Sequence, residues 1–238
     1  MDSLIAAKEK LLAKKRDLKI GAMQKLIKQE ESDNWRKVKL INCGVFSKGK
    51  GISKSESNTG TIPAVRYGEL YTKHENYIKN FYSFISRSVA ESSHRLNQGD
   101  ILFTASGETK EDIGKCVAFV DEFEAYAGGD LIILSPFENF DSKFLGLTLN
   151  SDYIKKQKAE VAQGDAIVHI RTAALQNLNV IIPFTSENKP NLKEQKRIAS
   201  ILTDMDIDIS SIENELVKLR NLKTAMMQKM FCFNEVVE

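Results

Sequence analysis

The sequence predicts an α+β chain: one loop-rich α/β domain, a long helix of coiled-coil type and a shorter N-terminal helix. Three observations lead there. A heptad-spaced apolar stripe runs near the C-terminus, a gapless repeat links the two ends, and short β-like runs separated by turn formers fill the middle. With 238 residues, 42% hydrophobic and 28% charged, the chain has globular composition, which excludes fibrous and disordered classes.

The N-terminal helix is expected over about residues 4–28 of an end segment 1–28, with Ile5, Leu12, Leu18, Ala22 and Leu26 on one stripe. Lys8 and Lys15 interrupt that stripe, although lysine stems lie along apolar surface with the ammonium in water. A helix this short and charged needs a partner helix. The segment returns at the other end of the chain: Glu9–Lys25 aligns with Glu213–Lys229 at an offset of 204, identical at nine of seventeen positions. A period that long is no solenoid repeat. It marks a module boundary met twice.

The second copy ends the long helix, expected over 191–231. Ile198, Leu202, Met205, Ile209, Ile212, Leu216 and Leu219 follow a 4-3-4-3-4-3 spacing, and Leu222, Met226 and Met230 continue the stripe. Three heptads of this kind define a seam for another helix, over a rod roughly 60 Å long. Asp204, Asp206, Asp208, Glu213 and Glu215 disfavour an anionic membrane surface. The polar–apolar alternation from Asp204 to Ile209 marks a place where the helix would kink or fray.

Between the helices, Glu30–Asn34 is polar punctuation and a mixed domain occupies 35–190. Strands are expected at Thr61–Arg66, Asp100–Thr104, Cys116–Val120, Asp130–Leu134 and Leu178–Ile182. Helices are expected at Asp141–Asn150, capped by Asp141, and at Ser151–Gln163.

Charge is uneven along the chain although the total is only +2. Residues 36–115 carry +5 and 155–199 carry +4, either side of −6 over 116–154. That pattern permits a polyanion-facing surface. Cys43, Cys116 and Cys232 are odd in number and far apart, which argues against a disulfide scaffold or a structural zinc. No apolar run approaches the roughly 18 residues of a membrane span, and Met1–Lys10 lacks a signal-peptide core, so a cytoplasmic protein is expected.

Catalytic patterns are missing. Gly44–Lys50 has the G-x-x-x-x-G-K spacing of a phosphate loop, but Gly51 stands where Ser or Thr must reach magnesium, and no apolar-striped helix follows. His74, His94 and His169 stand alone, without metal-site spacing. There is no nucleophile elbow and no dinucleotide fingerprint. The expectation is a non-enzymatic chain with no cofactor and no metal of its own.

The loops carry a different chemistry. Phe46–Lys54 reads as a loop holding Lys48, Lys50 and Lys54 with Ser53, where glycines let backbone N–H groups approach a ligand and lysines neutralise phosphates. Arg66 and Tyr67, then Ser106, Thr109 and Lys110, add donors suited to base edges and backbone; Gln163, His169 and Arg171 form a further polar turn. By composition alone this leaves two readings, a nucleic-acid binder and a coiled-coil assembly adaptor that binds protein.

The order Lys48–Ser53, Gly60–Arg66, Gly99–Gly107, Ile113–Lys115, Gly128–Asp130, Gln163–Asp165, Leu178–Pro183 and Glu194–Leu202 resembles a target recognition domain of the DNA specificity subunits of type I restriction-modification systems. The resemblance covers essentially the whole chain. Such subunits usually carry two recognition domains, each followed by a long helix; this chain has one domain, one full helix and a stub, so it resembles a half subunit. The resemblance implies a non-catalytic reader of a DNA half-site whose long helix is a spacer and docks DNA adenine methyltransferase (modification) subunits. S-adenosylmethionine, ATP and Mg would belong to those and to a restriction/motor subunit. The seam of seven residues, which so short a stub cannot wholly cover, would then pair two copies as a homodimer or join two half subunits.

Overall fold

The computed structural model describes residues 1–164 and 167–234. In chain order the elements are α1 (Asp2–Leu26), β1 (Trp35–Lys39), a 3-10 turn (Leu40–Cys43), β2 (Gly44–Lys48), β3 (Ile62–Val65), α2 (Tyr67–Thr72), β4 (Ser83–Ile85), α3 (Arg87–Ser92), β5 (His94–Arg95), β6 (Ile101–Thr104) and β7 (Ser106–Gly107). They continue with β8 (Cys116–Ala118), β9 (Tyr126–Ala127), β10 (Leu131–Pro136), α4 (Ser142–Leu149), α5 (Asp152–Val161), β11 (Val168–His169), α6 (Thr172–Gln176), β12 (Asn179–Pro183) and α7 (Leu192–Asn234). Two compact units result, Ile27–Ala199 and the pair formed by Met1–Leu26 with the chain from Ser200 onward.

In the 27–199 unit an antiparallel sheet of order β2-β10-β6-β8 lies at the centre of the fold, and a second sheet has the order β4-β3-β9-β5. The five runs of β-branched and aromatic residues named above become β3, β6, β8, β10 and β12. Leu102, Val117, Leu131 and Ile133 of the first sheet share a core with Val65 and Ala127 of the second. The Asp141 side chain caps α4 as expected, accepting the Phe144 N–H at 2.8 Å. Lys158 of α5 is 1% exposed; its ammonium donates to the carbonyls of Gly114 at 2.6 Å and Leu149 at 2.8 Å, so it ties α5 to the end of α4 and to the turn before β8.

Two expectations change in this unit. Residues 46–48 are not loop: they belong to β2, paired along Gly44–Lys48 with β10 from Lys48↔Ile132 to Gly44↔Pro136. The apparent phosphate loop is therefore largely extended strand, which no phosphate can nest in. The glycines after it serve the protein's own backbone. A Cβ on Gly49 would sit 1.9 Å from the Gly128 carbonyl oxygen, and Gly51, at φ +68, accepts the Gly129 N–H at 2.7 Å.

In the other unit α1 packs antiparallel on α7. The ion pairs Lys8–Glu215, Lys15–Asp208, Arg16–Glu213, Lys19–Asp206, Glu9–Arg220 and Asp2–Lys223 run in register along the two helices. Ile209, Ile212 and Leu216 are buried, whereas Leu222, Met226 and Met227 are exposed. The expectation of an uncovered seam is therefore corrected over this stretch: α1 covers it in cis, its lysine stems standing in for apolar side chains while their ammonium groups reach the acidic flank of α7. The Asp204–Ile209 stretch stays helical, with Asp206 and Asp208 paired to lysines of α1. Among the described residues no helix is long and apolar enough to cross a membrane. Asp165 and the Met230 side chain lie outside what is described.

Candidate nucleic-acid interface

The site is built on β7 and β11, whose antiparallel pairing sets Ser106 opposite His169. The Ser106 hydroxyl lies 2.9 Å from His169 Nδ1. Gln163 joins the same ribbon through two backbone hydrogen bonds with His169, at 3.0 and 2.8 Å. Residues 63 positions apart are thus brought into contact by two very short strands.

A cleft opens on each side of Ser106. The first, about 590 Å³, is lined by Lys48 from the end of β2, by Ser106, His169, Arg171 and Thr172, and by Asp130. Two fixed cations face one carboxylate there, so the cleft is electropositive and suits a phosphate oxygen. Lys48, His169 and Arg171 are all exposed, and the buried Thr172 hydroxyl has no hydrogen-bond partner. The floor of this cleft is backbone. Gly49 N–H donates to the Leu131 carbonyl at 2.9 Å, Ala105 N–H to that of Asp130 at 3.0 Å, and Ile170 N–H to that of Ala105 at 2.9 Å.

The second cleft, about 620 Å³, is lined by Tyr67, Tyr71 and Thr72 of α2 and by Ser106, Glu108, Thr109, Asp112 and Lys115. It mixes donors and acceptors, the composition a base edge requires, in place of a cationic wall. Its polar groups are firmly held. The Tyr71 hydroxyl lies 2.7 Å from Thr104 Oγ1 and donates to the Ser106 carbonyl at 3.0 Å, and burial pushes its pKa up. The Lys115 ammonium donates to the carbonyl of His74 at 2.6 Å, and burial pulls its pKa down.

The residues picked from sequence divide accordingly. Lys48, Ser106, His169 and Arg171 meet at the first cleft, and Tyr67, Ser106 and Thr109 at the second. Lys50, Arg66 and Lys110 neighbour these in sequence, and Gln163 is bonded to His169, without lining either cleft. Ser53 and Lys54 belong to a separate turn: the Ser53 hydroxyl donates to the Glu56 carboxylate at 2.6 Å, and the Lys54 carbonyl accepts from Ser57 Oγ at 2.8 Å. Tyr71, Asp112 and Asp130 were missed. Tyr71 stands four residues after Tyr67 and so shares its face of α2, a relation that appears only once α2 is known to be a helix. Among the described residues no cluster of His, Cys, Asp and Glu could hold a metal ion.

The chain thus combines a mixed domain that carries two polar clefts with a two-helix unit. The chain belongs to the type I restriction modification DNA specificity domain family, whose model matches residues 32–221. It is 32% identical over 213 residues, 84% of its length, to the type I restriction enzyme MjaVIII specificity subunit of Methanocaldococcus jannaschii, and spans 42% of that protein. Among solved structures it is similar to the HsdS subunit of Thermoanaerobacter tengcongensis, with a TM-score of 0.62 and 16% identity, covering 96% of this chain and 53% of that one. It is likewise similar to the type I restriction-modification S subunit of M. genitalium, with a TM-score of 0.64 and 15% identity, covering 96% of this chain and 57% of that one. The chain therefore spans about half the length, or less, of these relatives. Subunits of this family are in general non-catalytic.

Proposed function

We propose that residues 35–190 read one half-site of duplex DNA, with Lys48 and Arg171 on phosphate oxygens and the Tyr67–Thr109 cleft facing base edges. The observation that carries this reading is the convergence on Ser106 of an electropositive cleft and a cleft of mixed hydrogen-bonding groups, in a chain of the specificity family. The long helix, 191–231, is the spacer that docks modification subunits; those subunits and the restriction subunit bring S-adenosylmethionine, ATP and Mg. Two copies, or two half subunits, would present recognition domains in opposite orientations, so the site read is an interrupted palindrome.

The test is duplex binding as a function of salt, with the modification subunit present. Lys48→Ala and Arg171→Ala should weaken all sequences alike and each lower the log–log salt slope by about one. Tyr67→Ala and Thr109→Ala should shift sequence preference with little change in slope. Absence of DNA binding at low salt refutes the reading and favours a protein-binding adaptor.

A further inference from the structure

The ion pairs of the helical unit have a hidden symmetry. The offset of 204 that relates the repeat converts Asp2, Glu9, Arg16 and Lys19 of α1 into Asp206, Glu213, Arg220 and Lys223 of α7, identical in every case. Four of the cis pairs are Glu9–Arg220, Arg16–Glu213, Lys19–Asp206 and Asp2–Lys223. Carried over by the offset, they become Glu213–Arg220, Arg220–Glu213, Lys223–Asp206 and Asp206–Lys223 between two α7 helices. The set is closed under exchange of the two helices. An antiparallel α7–α7 pair with its twofold axis beside Leu216 thus satisfies these four residues of each helix in the register that α1 already displays, while Glu215 and Asp208 exchange their cis lysine partners for Ile212 and Leu219. The same offset places Ile209 and Leu216 where Ile5 and Leu12 stand, and Ile212 and Leu219 where Lys8 and Lys15 stand. The seam of that pair is more apolar than the one α1 provides.

We propose that α1 is a cis stand-in for the α7 segment of a second copy, and that the two compete for one face of α7. While α1 is seated, the face is filled and its charges are matched; when α1 leaves, residues 206–223 of another copy take its place in the same register. Tethering favours α1 through its high effective concentration, and the more apolar seam favours the second copy. This refines the two-copy arrangement above and is independent of the DNA reading, since it concerns helices alone.

The experiment is sedimentation equilibrium of the full chain without DNA, with circular dichroism to follow helix content. Glu9→Lys with Arg16→Glu sets like charges against Arg220 and Glu213 in cis, yet leaves the α7–α7 pairs intact. The doubly substituted chain should dimerise at least about tenfold more tightly than the unsubstituted one, on the scale expected for two surface ion pairs turned repulsive. Adding Arg220→Glu then opposes like charges at both symmetry-related ends of the α7–α7 pair and should return the chain to monomer. If the doubly substituted chain stays as monomeric as the original, even with α1 unfolded, the competition does not exist. A dimer that none of these substitutions weakens or strengthens would keep two copies but overturn the exchange.

Discussion

Lys158 offers the sharpest quantitative test of the fold. Its ammonium is buried with two carbonyl partners and, among the described residues, no carboxylate, 5.6 Å above the Phe103 ring. Lys158→Met keeps the stem that packs inside the domain and removes the donor, leaving the Gly114 and Leu149 carbonyls dry. Each unsatisfied buried carbonyl costs about 1–3 kcal/mol, against on the order of 3 kcal/mol that the buried charge costs the parent at pH 7, so the two proteins should differ by no more than about 3 kcal/mol there. The pH dependence is more diagnostic. Burial brings the pKa of Lys158 from 10.5 down to about 8. Between those values the unfolded chain holds the proton and the folded chain does not, so this residue's contribution to stability rises with pH across that window. Relative to Lys158→Met, the parent should gain on the order of 3 kcal/mol between pH 8 and pH 10.5. Urea unfolding of both proteins at half-unit pH steps measures the difference directly. Parallel curves above pH 8 would refute the lowered pKa of Lys158 and the burial that causes it.

Three further outcomes follow from particular contacts. Burial, with the Lys115 charge nearby, lowers the pKa of His74 to about 4, so stability should fall as pH drops from about 6.5 to 4, and His74→Phe should flatten that part of a thermal-midpoint profile. Gly49→Ala drives a Cβ into the Gly128 carbonyl and should cost about 1–3 kcal/mol in chemical denaturation, whereas Gly21→Ala on α1, with nothing within 4 Å, should stabilise by about 0.5–1 kcal/mol. Leu216→Ala, at a seam position 3% exposed, should lower stability by about 2–4 kcal/mol and reduce α1 helicity by circular dichroism.

What was legible in the sequence was whatever repeats or punctuates. The heptads of α7 show because seven seam residues obey one period, and α4 shows because Asp141 announces its start. β2 was hidden because its sequence, Gly44–Lys48, has the spacing of a phosphate loop; only the pairing with β10, some 90 residues away, makes it a strand. The roles of Gly49 and Gly51 were hidden for the same reason, since their partners are the carbonyl of Gly128 and the N–H of Gly129. The short helix α2 escaped because six residues cannot display a period. At the site, polar residues in loops could be nominated but not grouped. Ser106 and His169 meet through β7 and β11, two-residue strands that no propensity argument resolves, while Ser53, equally polar in sequence, gives its hydroxyl to Glu56 in an exposed turn.

The backbone floor of the first cleft has a consequence for how such a surface changes over time. From Gly49 through Leu131, Asp130 and Ala105 to Ile170, the segments that carry Lys48, Ser106, His169 and Arg171 are fastened by main-chain hydrogen bonds. Those bonds are indifferent to which side chain stands above them. The side chains lining the cleft can therefore be exchanged with little effect on folding, provided glycine stays at position 49 where two backbones cross. Change in what this cleft can hold is thereby uncoupled from change in stability: its lining can be rewritten one side chain at a time while the ladder beneath it stays as it is.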